Sequence, residues 1–392
     1  MSNTVLTPTA VTREALRVLH QKLNFIGTIS RQYDDSFAKS GAKIGDSLKI
    51  RLPNQYTVRT GATIAVQDTA ETSVTLQVAT QKGVDVSFSS TELTLSLDDF
   101  SARILEPAMS VLAASIEADA MSMYKNVYNQ VNNIDAAASF AKLLAGRKIL
   151  TDNLTPLSGR TANLNTQDTV DLVDALKALF HDDTAVSQQY REGKMGRTAG
   201  FDFYENTLWP LHTTGTALAT YLINGASQTG ATLTVDTGTT TFKQGDIIAI
   251  ANVFRVHPET KISTGVEHTF VVTADVTGSA VSIPISPSIV ITGPTQNVNA
   301  APADDAAITK HGGASAVHGT SMLYHKDAFA IAFADLVMPK GVDFAAREVF
   351  DGISMRIARQ WDITNDRYPC RIDVLYGYKA TRPQLACRFA NN

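Results

Sequence analysis

The stretch "SLKIRLPNQYTVRTGATIAVQDTAETSVTLQVATQKGVDVSFSS", residues 47–90, decides how the chain is read. Leu48, Ile50 and Leu52 alternate with Lys49 and Arg51, and the same period of two returns at Tyr56 and Val58, at Val74, Leu76 and Val78, and at Val84, Val86 and Phe88. Alternation sustained over several residues marks strands with one buried face. Residues 61–71 between them are small and polar, as at the tip of a long hairpin. Two strands alone are marginal in water. The apolar face therefore needs a cover, supplied by its own domain or by another molecule.

Upstream, "TREALRVLHQKLNFIG" offers Thr12 as a cap and places Ala15, Leu16, Leu19 and Leu23 at helical spacing, a short amphipathic helix in a polar arm. Its stripe is expected to dock on the main body or on a neighbour. Downstream, "SLDDFSARILEPAMSVLAASIEADAMSMYKNVYNQV" carries Ile104, Ala108, Leu112, Ile116, Ala120, Met123, Val127 and Val131 at steps of three or four, with Asp98 or Asp99 as the cap. Pro107 kinks this helix or marks its first turn. From Pro107 to Val131 a rise of 1.5 Å per residue predicts a rod of about 37 Å.

Residues 136–222 mix helix signals, "ASFAKLLAGRKILTDN" and "TQDTVDLVDALKALFHD", with loops, whereas residues 225–309 are dominated by Thr, Val, Ile, Gly and Pro in short runs separated by turn residues. The second region predicts an all-β module inserted between two parts of a mixed domain. Near the C-terminus, Ile353, Met355 and Ile357 alternate with Ser354 and Arg356, and two long strands are expected around a polar turn at residues 362–367.

The chain has 392 residues, 44% hydrophobic and 18% charged, enough to fold around a sizeable core. A formal net charge of −4 supplies no global basic field for nucleic acid or an anionic membrane. The N-terminus lacks the parts of a signal peptide and no apolar run is long enough to span a bilayer. Cys370 and Cys387 are too few for a disulfide framework and are expected to be reduced, small apolar residues.

The search for chemistry is negative, and no catalytic residue, metal or cofactor is expected. "GKMGRTAG" puts Lys194 too early for a phosphate-binding loop and has no Ser or Thr directly after it, so a glycine-rich packing loop is favoured, with Arg191, Lys194 and Arg197 as a solvated or ion-paired face. "HGGAS" at 311–315 has no G-x-S-x-G partner. His257 and His268 flank a presumed turn and could approach one another, but no H-x-x-x-H or paired cysteine motif accompanies them. The adjacent carboxylates Asp98-Asp99, Asp182-Asp183 and Asp304-Asp305 suit caps and turns better than an acid/base pair, because neighbours in sequence point apart.

The order of parts, together with "TPTAVTREALRVLHQKLNF", "GDSLKIRLPNQYTVRTG", "VTLQVATQKGVDVSFSS", "LEPAMSVLAASIEAD", "GRTAGFDFYEN" and the closing "YGYKATRP", resembles the major capsid proteins of tailed double-stranded DNA bacteriophages with the Hong Kong 97 type fold. The likeness is strongest to the coat family typified by the Salmonella short-tailed phage. It implies an α+β fold with an N-terminal arm at 1–35, an extended-loop hairpin at 36–92, and a peripheral domain with a spine helix at 93–135. An axial domain follows at 136–222, then an inserted β-rich, barrel-like domain at 223–310, an axial return at 311–345 and peripheral C-terminal strands at 346–392.

The resemblance further implies hexamers and pentamers building an icosahedral head around DNA, first as a procapsid assembled in the host bacterial cytoplasm. The expected partners are other copies of the chain, a separate scaffolding protein, a portal protein and a decoration protein in some members, with no membrane. The hairpin would then be covered by a neighbour, with Lys49, Arg51, Arg59, Asp68 and Glu71 as intersubunit contacts. Two alternatives stay open: an encapsulin-type nanocompartment, which shares the fold, and a β-rich binding module. The second needs an aromatic groove, yet residues 225–309 hold only Phe242, Phe254 and Phe270 and no Trp or Tyr.

Overall fold

A computed structural model describes residues 8–33, 46–59, 61–64, 66–67, 71–88, 104–176, 196–217, 221–238, 241–278, 281–342, 344–364 and 368–392. The caps proposed at Asp98 and Asp99, the Asp182-Asp183 pair, Arg191 and Lys194 and the contact residue Asp68 all lie outside them. The chain forms two compact units, one drawn from residues up to Arg51, 73–121 and 329–381, the other from residues 52–72, 122–328 and 382–392.

The first unit is built on the strand Phe329–Ala334, sequence FAIAFA. Its register sends large and small side chains to opposite faces. Ala330, Ala332 and Ala334 join Leu76, Val78, Leu336 and Leu375 in one buried cluster, onto which Leu48 and Ile50 also pack. These apolar residues belong to the hairpin Asp46–Arg51 and Ser73–Val78, paired from Asp46↔Val78 to Arg51↔Ser73. The base of the hairpin is therefore covered by its own unit, which corrects the expectation that a neighbour covers all of it. Alanines leave room for a second layer, and Gly377 of the strand Tyr368–Ala380, paired with Ala332, extends that shallow path.

Phe329 lies on the other face, 5.8 Å from Phe25 between ring centroids, and the arm helix Pro8–Lys22 packs on the long helix Glu106–Met121. The apolar stripe of the arm docks on the main body, as one of the two expected covers: Ala15, Leu16, Leu19 and Leu23 are buried with Val18, Phe25 and Ile26, and the strand Ser30–Tyr33 runs parallel to Phe329–Ala334. Its helix starts at Pro8, a residue suited to the first turn, so Thr12 lies inside it rather than capping it. At the tip of the hairpin formed by Phe344–Phe350 and Ile353–Arg359, Asp351 and Gly352 both have positive φ, 49° and 76°. The Asp351 carboxylate there takes His20 at 2.8 Å and Arg31 at 2.5 Å.

The long helix is shorter than its apolar period suggests. It ends at Met121, tightens into a 3-10 turn over Ser122–Asn126, and Val131 falls on the strand Gln130–Asn132. A spacing of three or four residues serves both helix types, so periodicity alone could not place the change. Pro107 sits in the first turn.

In the second unit the strands run in the order Gln130–Asn132, Ala386–Asn391, Val317–His325, Arg160–Leu164, Phe201–Glu205, Arg197–Thr198. The helices Phe140–Asp152 and Thr166–Leu176 bury Leu143, Leu150 and Leu172 against Leu164, Phe201, Leu323 and Phe389. Ala386–Asn391 pairs in this sheet, and the chain passes from this unit to the first after Ala328, across the short 3-10 turn Lys326–Ala328.

Within residues 230–310 five antiparallel strands form one sheet in the order Gly230–Thr234, Ser282–Ile289, Ser263–Val272, Ile247–Val256, Ile308–Lys310, beside the short pair Thr241–Phe242 and Val276–Thr277. The segment 221–224 bridges the two ends through Ile223↔Val235 and Leu222↔Ala307. Its backbone bonds, among them Asn224 N–H to Thr234 O at 3.0 Å and Ile308 N–H to Tyr221 O at 3.0 Å, close the sheet on itself. Tyr221, Phe242, Ile248, Phe270, Ile283 and Ile308 belong to the core of this ring.

Candidate functional site

Beyond the hairpin base the ladder stops at Arg51, with one further bond from Leu52 N–H to Thr72 O at 2.9 Å. Pro53 follows and has no N–H to continue it. The loop is instead locked by side chains. The Gln67 amide imitates a paired strand: its Oε1 accepts from the Thr57 N–H at 2.9 Å and from Thr57 Oγ1 at 3.1 Å, while its Nε2 donates to Thr57 O at 2.5 Å. The Arg59 guanidinium donates to the carbonyl of Gly61 and, at 3.2 Å, to that of Thr63.

The described part of this loop holds large apolar side chains in water: Tyr56 is 57% exposed, Val58 94%, Ile64 78% and Val66 84%. Tyr56 and Val58 were expected on a strand face, and Ile64 and Val66 lie in the stretch read as small and polar. Their two-residue spacing was the available signal. Of the five expected contact residues, Lys49, Arg51, Arg59 and Glu71 are exposed. Arg59 already serves its own loop. Surface ion pairs contribute about 0–1 kcal/mol each, whereas burying a Val- or Ile-sized side chain contributes about 1.5–3 kcal/mol, so the apolar tip is the stronger element.

The catalytic and ligand candidates resolve into structural roles. His257 Nδ1 accepts from the Glu259 and Thr260 N–H groups of its own turn, while His268 is buried five residues beyond Ser263, stacked on Phe270 at 4.7 Å, so the two do not come together. The Arg197–Asp202 hairpin turns through Ala199 and Gly200, both with positive φ, at 52° and 84°, as a tight packing loop requires. Asp304 accepts from Gly225 N–H at 2.6 Å and Asp305 has φ 57°, both turn roles. Cys370 and Cys387 are buried and free. Among the described residues no group of three or more His, Cys, Asp or Glu side chains could hold a metal.

Sequence reading missed a buried string in the second unit. Tyr124 Oη lies 3.1 Å from His212 Nδ1, and His212 Nε2 lies 3.2 Å from Asp246 Oδ1. Asp246 Oδ2 accepts from Gly215 and Lys243 N–H at 2.9 Å each. Burial raises the Tyr124 hydroxyl above its ordinary pKa and lowers His212, so the string holds its protons in place instead of activating an oxygen nucleophile.

Asp168, with its side chain out of solvent, accepts from Ser321 Oγ at 2.5 Å, and burial pushes its carboxyl up to about 6. A carboxylate with a raised folded pKa costs stability as pH rises from its unfolded value through that folded value. Asp168→Asn is therefore expected to raise the melting free energy of this unit by about 1–3 kcal/mol at pH 8 and to give no gain at pH 4. Denaturant titrations at the two pH values read this directly.

The family model described as P22 coat protein, gene protein 5, matches residues 9–388. No curated protein shows a significant match. Among solved structures, the chain is similar to that of Mycobacterium phage Che8, at 12% identity and a TM-score of 0.45, over 95% of this chain and 90% of that one. It is similar to the asymmetric unit of the bacteriophage PhiM1 mature capsid at 11% identity and a TM-score of 0.46, over 94% and 87%. The CUS-3 coat protein I-domain matches at 28% identity and a TM-score of 0.21, covering 24% of this chain and 97% of that one.

Proposed function

We propose that this chain, which belongs to the P22 coat protein family, closes its shell by laying the exposed tip of the 52–72 loop on a second copy of itself. As a member of that family it is a structural protein of the virion, the major capsid protein that forms the icosahedral shell. The observation that supports the loop contact is the set Tyr56, Val58, Ile64 and Val66, exposed on a backbone that Gln67 and Arg59 already hold in shape. A preformed apolar surface loses little entropy on docking, and large exposed apolar patches mark interaction sites.

In this reading the subunits form hexamers and pentamers, in which one patch meets a different patch of the next copy and rings close. Lys49, Arg51, Asp68 and Glu71 set register around the apolar contact, and Arg59 acts mainly by shaping the loop. A precursor shell assembles in the host cytoplasm with a separate scaffolding protein around a portal, and matures without covalent crosslinks. The charge of −4 suits a wall that encloses DNA without gripping it. The family match gives no support to the nanocompartment or binding-module alternatives.

Electron microscopy of the protein expressed with the scaffolding candidate of its own genome tests this. Closed shells of uniform size are expected for the wild type. Val58→Glu with Ile64→Glu is expected to leave a folded subunit, with an unchanged melting temperature, that forms no shells. Normal assembly of that variant overturns the loop contact, and a wild type that never assembles overturns the scaffolded pathway.

A further inference from the structure

We propose that the second unit binds one small monovalent anion of chloride size where its β-ring meets its main sheet, on the guanidinium of Arg388 and the imidazoles of His311 and His318. The argument starts from charge. Arg388 is 1% exposed and Lys310 8%, and Lys125 beside them is half-buried. The carboxylate acting on this group is Asp246, 1% exposed. Both of its oxygens are already engaged, by His212 and by the Gly215 and Lys243 N–H groups. Lys310 donates to the carbonyls of Gly312 and Gly313, at 3.1 and 2.7 Å, which take two of its three protons without cancelling its charge. Positive charge is thus in excess in a place where an uncompensated charge is costly.

Hydrogen bonding points the same way. Arg388 spends one N–H on Gly245 O at 2.6 Å and lies over the Tyr124 ring at 5.3 Å. Its Nε and Nη2 have no protein partner, nor does either ring nitrogen of His318 or the Nδ1 of His311, and solvent reaches none of these atoms. A neutral imidazole supplies one N–H. The unmet groups are therefore mostly donors. A water placed among them would bring two further hydrogens with few acceptors to take them, whereas a halide accepts from the guanidinium and imidazole N–H groups and cancels a charge. The Tyr124 hydroxyl reaches His212, whose ring lies 5.3 Å from that of His318 between centroids, so Arg388 and His318 belong to one buried cluster. Burial lowers Arg388 only to about 10, so the guanidinium keeps its charge at neutral pH.

The test is a thermal melt of the full chain at pH 7.5 and constant ionic strength, with chloride replacing gluconate from micromolar to about 50 mM, below the range of general salt effects. The midpoint of the transition reported by buried Trp209 is expected to be flat at first and then to rise by about 2–4 °C per tenfold chloride. Bromide should act likewise. Arg388→Met should abolish the dependence, and His318→Phe, which keeps the guanidinium, should raise the chloride required by roughly tenfold. Broadening of the chloride-35 magnetic resonance line by the wild type, reversed by bromide, reads the site without any variant. A midpoint independent of chloride, with no line broadening, overturns the proposal. The melt reads the chain itself, so its outcome is separate from whether shells form.

Discussion

Gly377→Ala is expected to lower the stability of the first unit by about 3–5 kcal/mol, a large fraction of what holds an ordinary domain folded. The backbone angle of Gly377 is ordinary; the reason is space. A Cβ there would overlap the carbonyl oxygen of Gln77 and stand 2.8 Å from the Gln77 carbonyl carbon and 2.9 Å from Val78 Cα. These are backbone atoms of the hairpin layer and cannot rotate away. Relief would require lifting Ser73–Val78 off the Ala330, Ala332 and Ala334 surface and exposing Leu76 and Val78. Gly27→Ala in the same unit is the control, because nothing lies within 4 Å of the added atom. Chemical denaturation of the two variants decides it: equal midpoints would show that the hairpin layer yields freely.

The second large effect is acid lability of the second unit. Burial lowers His268 and His311 to about 4 and His318 to about 3, while the unfolded chain titrates near 6.5. A histidine with a depressed folded pKa leaves stability intact above the unfolded value. Below it the unfolded state takes up protons that the folded state refuses, and stability falls at 1.36 kcal/mol per pH unit until the folded pKa is reached. For the buried pair His268 and His318 this comes to about 3 kcal/mol each at pH 4. Asp168, raised to about 6, has the opposite sign and returns about 3 kcal/mol over the same acid window. A net loss of about 3 kcal/mol between pH 7 and pH 4 is expected from these three groups, deepened by His311 and His212. His268→Phe, beside Phe270 and Tyr128, should flatten the profile by roughly half, and Asp168→Asn should steepen it. An unfolding free energy unchanged from pH 7 to pH 4.5 would contradict the assignment of these histidines as neutral and buried.

Local rules carried much of the reading. Period-two alternation located the hairpin strands and the Ile353–Arg359 strand, because one buried face forces alternate apolar residues whatever lies beneath. Helical periodicity located Phe140–Asp152 and Thr166–Leu176, and the Thr, Val and Gly-rich composition marked the β region at 230–310. The order of parts and the spread of family-like wording over the chain pointed to a coat protein, and the family match over residues 9–388 shows that family.

What tertiary structure alone decided has one cause in common: the same local pattern is satisfied by different partners. Leu76 and Val78 need an apolar cover, but only the small face of FAIAFA with Gly377 shows that the cover is internal, which leaves Val58, Ile64 and their neighbours as the part still in water. The long helix and the 3-10 turn after it share one apolar spacing, and only packing ends the first at Met121. Ala386–Asn391 reads as any strand, yet its hydrogen bonds go to Val317–His325 and Gln130–Asn132, more than sixty residues away in sequence at the nearest. The closing of the β-ring by 221–224 and the placing of Arg388 against Gly245 and Tyr124 are of the same kind. A residue's own neighbours in sequence determine its periodicity and propensity, whereas the choice among equally apolar or equally polar partners is made by shape and charge across the fold.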